Sequence, residues 1–415
     1  MRATLKRLGW ALGALALAPA TLTAQVTERV SMDEAIGLFA ENSLALRIAR
    51  ADAEEIQGIA RQSKSYFNPA LTVVHETLGR GEDDYWETTV GLEQTIEWPG
   101  RTTARGRAAR YTAGAAGAEF RADSLRLAFD VRAAYAATWA AEAGEAVLKG
   151  TAEVIAGVAE DAERRLEEGD ISGYDARRLR LERIRIEGDV LSAALASGAA
   201  RRHLATLVLG DSEITEIGPA DPLLGIPPEV PPDAALSSVA GRPDIEAATG
   251  ALEAARASVS AAANGWITDP TFLLGYKDQA DGFSGAALTV ALPLPLFDRR
   301  GGAADGARAR QSAASASLDL RTREARTDVL SASDRYEVTR QRLGRIGDDL
   351  VDEAQALLTA AGAAYDEGEM SLLELLDAAR AFRDTRLTAV SLTADTWIAY
   401  YDLLRAMGRA PEEDR

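Results

Sequence analysis

Proline is missing from two long windows of the chain, between Pro99 and Pro219 and between Pro295 and Pro411. Each window exceeds 110 residues and is rich in Ala, Leu, Arg and Glu, so nothing in it breaks a helix and most of it favours one. The pattern predicts one helix from about Thr102 to Glu168 and a counterpart from about Gly302 to Glu367. At 1.5 Å per residue the first would span roughly 100 Å, longer than a globular domain can use. In the second, Leu343, Gly347, Leu350, Ala354, Leu357, Ala361 and Ala364 alternate spacings of four and three. That is a heptad seam of large and small residues, suited to close packing against a neighbouring helix.

The two windows belong to a duplication. Asn68-Pro69 recurs as Asp269-Pro270, and Glu168-Gly169-Asp170-Ile171-Ser172 recurs as Glu367-Gly368-Glu369-Met370-Ser371. Each half reads as helices, two short alternating segments, a tight turn, one very long helix, a Gly-containing loop and a last helix. The expected organisation is a first repeat over 25–210, a Pro-rich linker over 211–232, a second repeat over 233–408 and a tail over 409–415. Ser31 with Glu34 makes a capping box for the first helix. Asn42 and Ser43 should break it before a second helix over about 44–64, and a helix of the second half should begin near Pro243-Asp244.

Residues 1–24 have the form of a secretory signal peptide: Arg2, Lys6 and Arg7, an apolar run from Leu8, then small residues to Ala24. Pro19 interrupts the apolar run, which argues against a membrane anchor. With 64 acids against 46 bases the chain carries −18, a poor match to nucleic acid. No Cys and only two His leave little for metal-centred or nucleophilic chemistry, and no cofactor or enzymatic activity is expected. His75 and His203 stand alone and read as surface or interface residues.

The short segments are expected at about 70–78 and 87–96, and again at about 271–277 and 285–294. Val90, Leu92, Gln94 and Ile96 alternate with Thr89, Gly91, Glu93 and Thr95, and Leu288, Val290, Leu292 and Leu294 alternate with Ala287, Thr289, Ala291 and Pro293. An apolar face opposite a small, polar one suits a transmembrane barrel strand, although a soluble hairpin has the same period. Tyr85, Trp86 and Phe283 lie near the strand ends, where interfacial aromatics belong. Four strands cannot close a barrel, whose backbone must be fully paired in lipid, so several copies would have to combine.

These residues resemble the TolC-type outer membrane factors, the outer membrane efflux proteins, over nearly all of 28–408. Gln94-Thr95-Ile96-Glu97-Trp98-Pro99-Gly100-Arg101 and Leu292-Pro293-Leu294-Pro295-Leu296-Phe297-Asp298-Arg299 are similar to the strand-to-helix turns of the heavy-metal, CzcC-like branch. The resemblance implies a mainly α chain with a small β part: long antiparallel coiled-coil helices forming an α-barrel, and four strands per protomer in a trimeric 12-stranded β-barrel. It implies a passive homotrimeric exit duct in the outer membrane of a Gram-negative bacterium, with its helices in the periplasm. The implied partners are outer membrane lipid, a periplasmic adaptor (membrane fusion protein) and an inner-membrane RND pump that delivers substrate, metal cations being favoured by the turns. The lipid-acceptor Cys of many relatives is absent, so the barrel alone is expected to hold the protein in the membrane.

The resemblance also assigns residues. Gly169, Ile171, Ser172, Gly368, Met370, Ser371 and Leu372 would form the adaptor-docking tip, with the two Gly ending helices and the two Ser capping the next. The apolar Ile171, Met370 and Leu372 are expected to be exposed there. Glu374 and Asp377, three apart on one helix face, would ring the tunnel constriction as a cation-attracting gate. Tyr365 and Asp175 match positions whose bonds hold the constriction closed, while Met370 replaces a gate-bonding Arg of some relatives. Without the resemblance, the same residues read as plain helix–helix turns and a solvated face. A drug or type I secretion duct of the same fold, and an exported coiled-coil stalk, are the alternatives; a periplasmic hydrolase lacks any catalytic constellation.

Overall fold

A computed structural model describes residues 27–80, 83–169, 171–210, 216–263, 267–297 and 301–411. The expected signal peptide, Gly81 and Glu82 of the first hairpin loop, Asp170, and Asp298 and Arg299 of the second turn lie outside the described residues, as does most of the tail. The first half runs β1 (Thr27–Val30), α1 (Met32–Asn42), α2 (Leu44–Gln62), β2 (Ala70–Arg80), β3 (Asp83–Thr95), α3 (Pro99–Glu168) and α4 (Gly173–Val208). The second runs β4 (Glu216–Pro219), α5 (Pro232–Ser237), α6 (Pro243–Ala263), β5 (Thr271–Gln279), β6 (Ser284–Ala291), α7 (Gly301–Asp366) and α8 (Leu372–Ala406).

The helix ends follow local chemistry. Ser31 and Glu34 form the reciprocal capping box at α1, and Ser43 both ends α1 and caps α2 through the Leu46 N–H. Pro99 opens α3, where a missing N–H costs nothing, and α3 then runs 70 residues unbroken. It stops at Gly169, whose φ of 85° suits a residue without Cβ.

α3 is the spine, packing against α2 and α6 near the strands and against α4 and α8 at the other end, while α7 lies beside α6 and α8. Its inward positions pair at seven-residue intervals, Ala109 with Ala116, the part-buried Leu127 with Ala134, and Ile155 with Ala162, with a step of eleven between Ala116 and Leu127. A third layer covers the middle of the helices. There β1 pairs in parallel with β4, and Val30, Phe39, Val131, Tyr135, Leu204 and Ile217 make one core. The Pro-rich connector is therefore more than a linker, because its start supplies the fully buried strand β4. Glu216 there is held by Arg201 and Arg202, and Tyr135 donates to the Val30 carbonyl. An equivalent core joins α5, α7 and the end of α8 around Val329, Tyr336, Tyr400 and Leu404, and Met32 packs against both cores.

The heptad line of α7 divides between two environments. Leu343 and Ala361 are buried, but Leu350 and Leu357 are exposed, because the residues in contact with the neighbouring helices near the loop are Leu358, Ala361 and Tyr365. α4, at the other edge of the helical layer, has a matching feature that its sequence reading missed: Leu181, Ile184, Leu191 and Leu195 are all exposed, with Gly188 in open space between them.

Candidate functional site

The hairpins β2–β3 and β5–β6 join into one antiparallel sheet of order β2-β3-β5-β6. The register sorts its side chains. Val73, Val90 and Tyr276 stand in line across the sheet, as do Leu71, Leu92, Leu274 and Leu288. Cross-strand partners share a face, so these residues and Val290 make one continuous apolar surface, and all of them are exposed. The opposite face carries Thr72, Glu76, Glu87, Glu93, Lys277 and Gln279. It is stitched by Lys277 Nζ to Glu87 at 2.7 Å and by Gln279 to the same carboxylate at 3.0 Å. A soluble hairpin buries its apolar face; this one leaves that face exposed, while several polar groups of the other face pair with one another beside the exposed Val74 and Leu78. β2 and β6 are open edges.

At the centre of the sheet Gly91 faces Gly275 on the polar side. A Cβ on Gly275 would stand 2.5 Å from the Val90 carbonyl oxygen, and one on Gly91 2.8 Å from that of Leu274. Only Gly lets β3 and β5 approach so closely. β6 ends at Ala291, so Leu292 and Leu294, expected on its apolar face, belong to the loop that follows. His75 hydrogen-bonds Thr88 at 2.7 Å and Thr77 at 3.2 Å and stacks near Trp86, within the sheet. His203 is exposed on α4. Among the described residues no group of three or more His, Asp or Glu is placed to hold a metal. No described helix is long and apolar enough to cross a membrane.

At the far end, the α3–α4 and α7–α8 turns form a second candidate site. Gly169 and Gly368 have φ of 85° and 76°, and Ser172 and Ser371 cap α4 and α8. Ser371 and Glu374 make a full capping box, with Glu374 Oε2 accepting from the Ser371 N–H at 2.9 Å and its hydroxyl at 2.7 Å. Those hydrogen bonds from Ser371 hold the Glu374 carboxyl below its ordinary value. Asp377 is exposed and 3.5 Å from Arg380. Glu374 and Asp377 thus both lie at the surface of the first turns of α8.

The apolar tip residues do not. Leu372 is buried, and Ile171 and Met370 pack against a core of Ala159, Ala162, Leu179, Ala361, Tyr365 and Leu375 contributed by all four helices. The expectation that they are exposed is corrected, since folding the turns back over the helix ends covers them. Tyr174 and Leu373 are the exposed apolar residues instead. Tyr365 and Asp175 are not brought together: Asp175 takes the Ser172 hydroxyl at 2.6 Å as part of its own helix cap, and Tyr365 lies under the Arg165 guanidinium, 5.1 Å away. The long-range tie at the tip is one the sequence reading missed. Arg380 of α8 donates to both oxygens of Glu182 on α4, at 3.1 and 2.7 Å.

Residues 236–409 match the model of the family described as outer membrane efflux protein. The chain therefore carries an outer membrane efflux protein domain in its second half. It is 25% identical over 382 residues to the cobalt-zinc-cadmium resistance protein CzcC of Cupriavidus metallidurans, a match covering 92% of this chain and 90% of that one. The crystal structure of the outer membrane protein VceC from Vibrio cholerae superposes with a TM-score of 0.76 at 21% identity, covering 91% of this chain and 96% of VceC. A structure of CusC gives the same TM-score at 19% identity, over 92% and 94% of the two chains. The mainly helical fold with its small four-stranded sheet is thus the fold of VceC and CusC, over nearly the whole length of each chain.

Proposed function

We propose that this efflux protein is one protomer of a passive exit duct in the outer membrane, working in a tripartite system with a periplasmic adaptor and an inner-membrane RND pump. The observation that carries the reading is the four-stranded sheet: apolar outside, polar inside, open at both edges. Such a surface is stable only in lipid, and such edges only when paired, so three copies closing a 12-stranded barrel satisfy both demands. The unpartnered stripes on α4 and α7 support the same assembly, because those helices are the two edges of the helical layer and each would meet the other on a neighbouring copy. The helices then continue the barrel as a tunnel, with Glu374 and Asp377 near its far end as the cation-favouring gate. The turns around Gly169, Ser172, Gly368 and Ser371 are the adaptor-docking tip, where Tyr174 and Leu373 offer apolar contact.

The cargo we propose is metal cations. CzcC, named for cobalt, zinc and cadmium resistance, supports this, and a duct of this kind moves ions best through weak sites. The experiment has two readings. The purified chain should migrate as a heat-modifiable trimer and form cation-selective pores in planar bilayers, and a strain lacking the gene should lose tolerance to cobalt, zinc or cadmium. A water-soluble monomer without conductance removes the duct; pores with unchanged metal tolerance remove only the metals.

A further inference from the structure

Where the helices leave the sheet, a belt of exposed aromatic and aliphatic residues is followed by a group of unpaired cations. Tyr66 (76% exposed), Phe67, Trp98 and Phe297 (99% exposed) occupy the connecting loops. Within about three helical turns come Arg61 and Lys64 at the end of α2 and Arg107 and Arg110 near the start of α3, all exposed. The two helices hold these residues at one level: a Cβ on Gly106 would meet Lys64 Cγ at 3.9 Å, and Arg105 donates to the carbonyls of Ser63 and Ser65. None of the four makes an ion pair among the described residues. The acids of this zone are already engaged, Glu97 with Arg105 and Asp269 with Arg101, each at 2.6 Å. In a chain of net charge −18 this is a local excess of positive charge.

The side on which it lies can be read from the turn of α3. With a drift of about 20° per seven residues, Arg107 shares a helix side with Ala128, and Arg110 with Val131, to within about 60°; both of those residues belong to the core that includes β1 and β4. A third layer on the inner side would fill the tunnel, so this side is the outer one. Arg107 and Arg110, with Lys64 beside them, therefore face away from the proposed duct, below the sheet.

We propose that Arg61, Lys64, Arg107 and Arg110 form a collar that binds the phosphate headgroups of anionic phospholipids in the leaflet next to the helices. The aromatics sit at the headgroup boundary, and the long cationic side chains reach up to the phosphates from below. The inference rests on the duct reading for the position of the membrane. Its occupant is a lipid, because the cations continue an apolar surface that only acyl chains cover.

Full-length protein is reconstituted in vesicles of equal phosphatidylglycerol and phosphatidylcholine, extracted in mild detergent, and its retained lipids are counted by native mass spectrometry. The wild type is expected to retain phosphatidylglycerol over phosphatidylcholine by roughly fivefold or more, the effect of about one well-placed cation at a membrane surface. R61Q/K64Q/R107Q/R110Q should bring the ratio near one while single-channel conductance is kept. The charge-keeping R61K/R107K/R110K should hold the preference. Equal retention by the wild type, or an unchanged preference in the four-Gln variant, overturns the collar while leaving the duct. Displacement of the lipid by free glycerol phosphate at matched phosphate concentration overturns the assignment to a membrane surface. A chain that neither inserts nor conducts removes the duct reading and the collar with it.

Discussion

Arg380 on α8 and Glu182 on α4 are 198 residues apart in the chain and share a two-bond ion pair, the guanidinium Nε and Nη2 each reaching one carboxylate oxygen. Glu182 is buried and Arg380 only partly exposed, so the pair joins the two halves of the duplication near the helix tips. Removing one partner leaves the other charge without its match in a poorly solvated place. Glu182→Gln should lower stability by about 1–3 kcal/mol, the range for losing a charged hydrogen-bond partner, and raise the open probability of single channels. Thermal melting together with bilayer recording checks both.

The same pair sets a pH dependence. The hydrogen bond from Arg380 holds the Glu182 carboxyl below its ordinary value, against the opposing effect of burial. A depressed carboxylate contributes stability that is fully present above its unfolded value and is lost as pH falls through the folded one. Openings should therefore become more frequent only in acid, below the ordinary Glu range of about 4. Glu182→Gln should flatten the profile; a wild type that opens more on alkalinisation would contradict the assignment.

Glu374 has a capping role and a proposed gate role, which substitution separates. Glu374→Gln keeps an acceptor for the Ser371 N–H, so the helix start should survive, whereas Glu374→Ala should cost about 1 kcal/mol, as other lost caps do. The double variant E374Q/D377N should lower the cation-over-anion permeability ratio in planar bilayers without a change in melting. An unchanged ratio takes both residues out of the gate.

Gly275 tests the sheet. Any Cβ there meets backbone, the Val90 carbonyl at 2.5 Å, which cannot swing aside as a side chain would. Gly275→Val should separate β3 from β5, cost about 1–3 kcal/mol as overpacking does, and abolish the heat-modifiable form on gels. Gly285→Ala, in open space on the neighbouring strand, is the control and should be silent.

The exposed stripe of α4 makes a prediction about assembly alone. Leu191→Glu removes no contact within the chain, since Leu191 is 68% exposed, so helix content should be unchanged. If the stripe seats a neighbouring copy, the variant should be monomeric in detergent by light scattering.

Much of this architecture is legible in the residues because its causes are local. Proline-free windows, serine caps and period-two strands fix element type through backbone geometry, and α3 and α7 run within three residues of where the pattern placed them. What could not be read is what depends on chain folding in space. β4 emerges from a Pro-rich connector because β1, almost 200 residues earlier, offers it a partner. Ile171, Met370 and Leu372 look exposed in a turn sequence, yet that turn folds onto a core made by four helices. The α4 stripe was legible, with leucines and isoleucine at heptad intervals, but the arginines between them masked it. Arg380 with Glu182 had no local signal.

The order β2-β3-β5-β6 has an arithmetic consequence. Each copy brings two complete hairpins, so its first and last strands run in opposite directions, and the edge it offers at one side is always antiparallel to the edge waiting on the next. Hydrogen bonding would be satisfied by a ring of any number of copies. In the proposed duct the headcount must then be decided elsewhere, by the angle at which rigid helical walls abut, so that the part embedded in lipid would simply inherit the number chosen by the part in water.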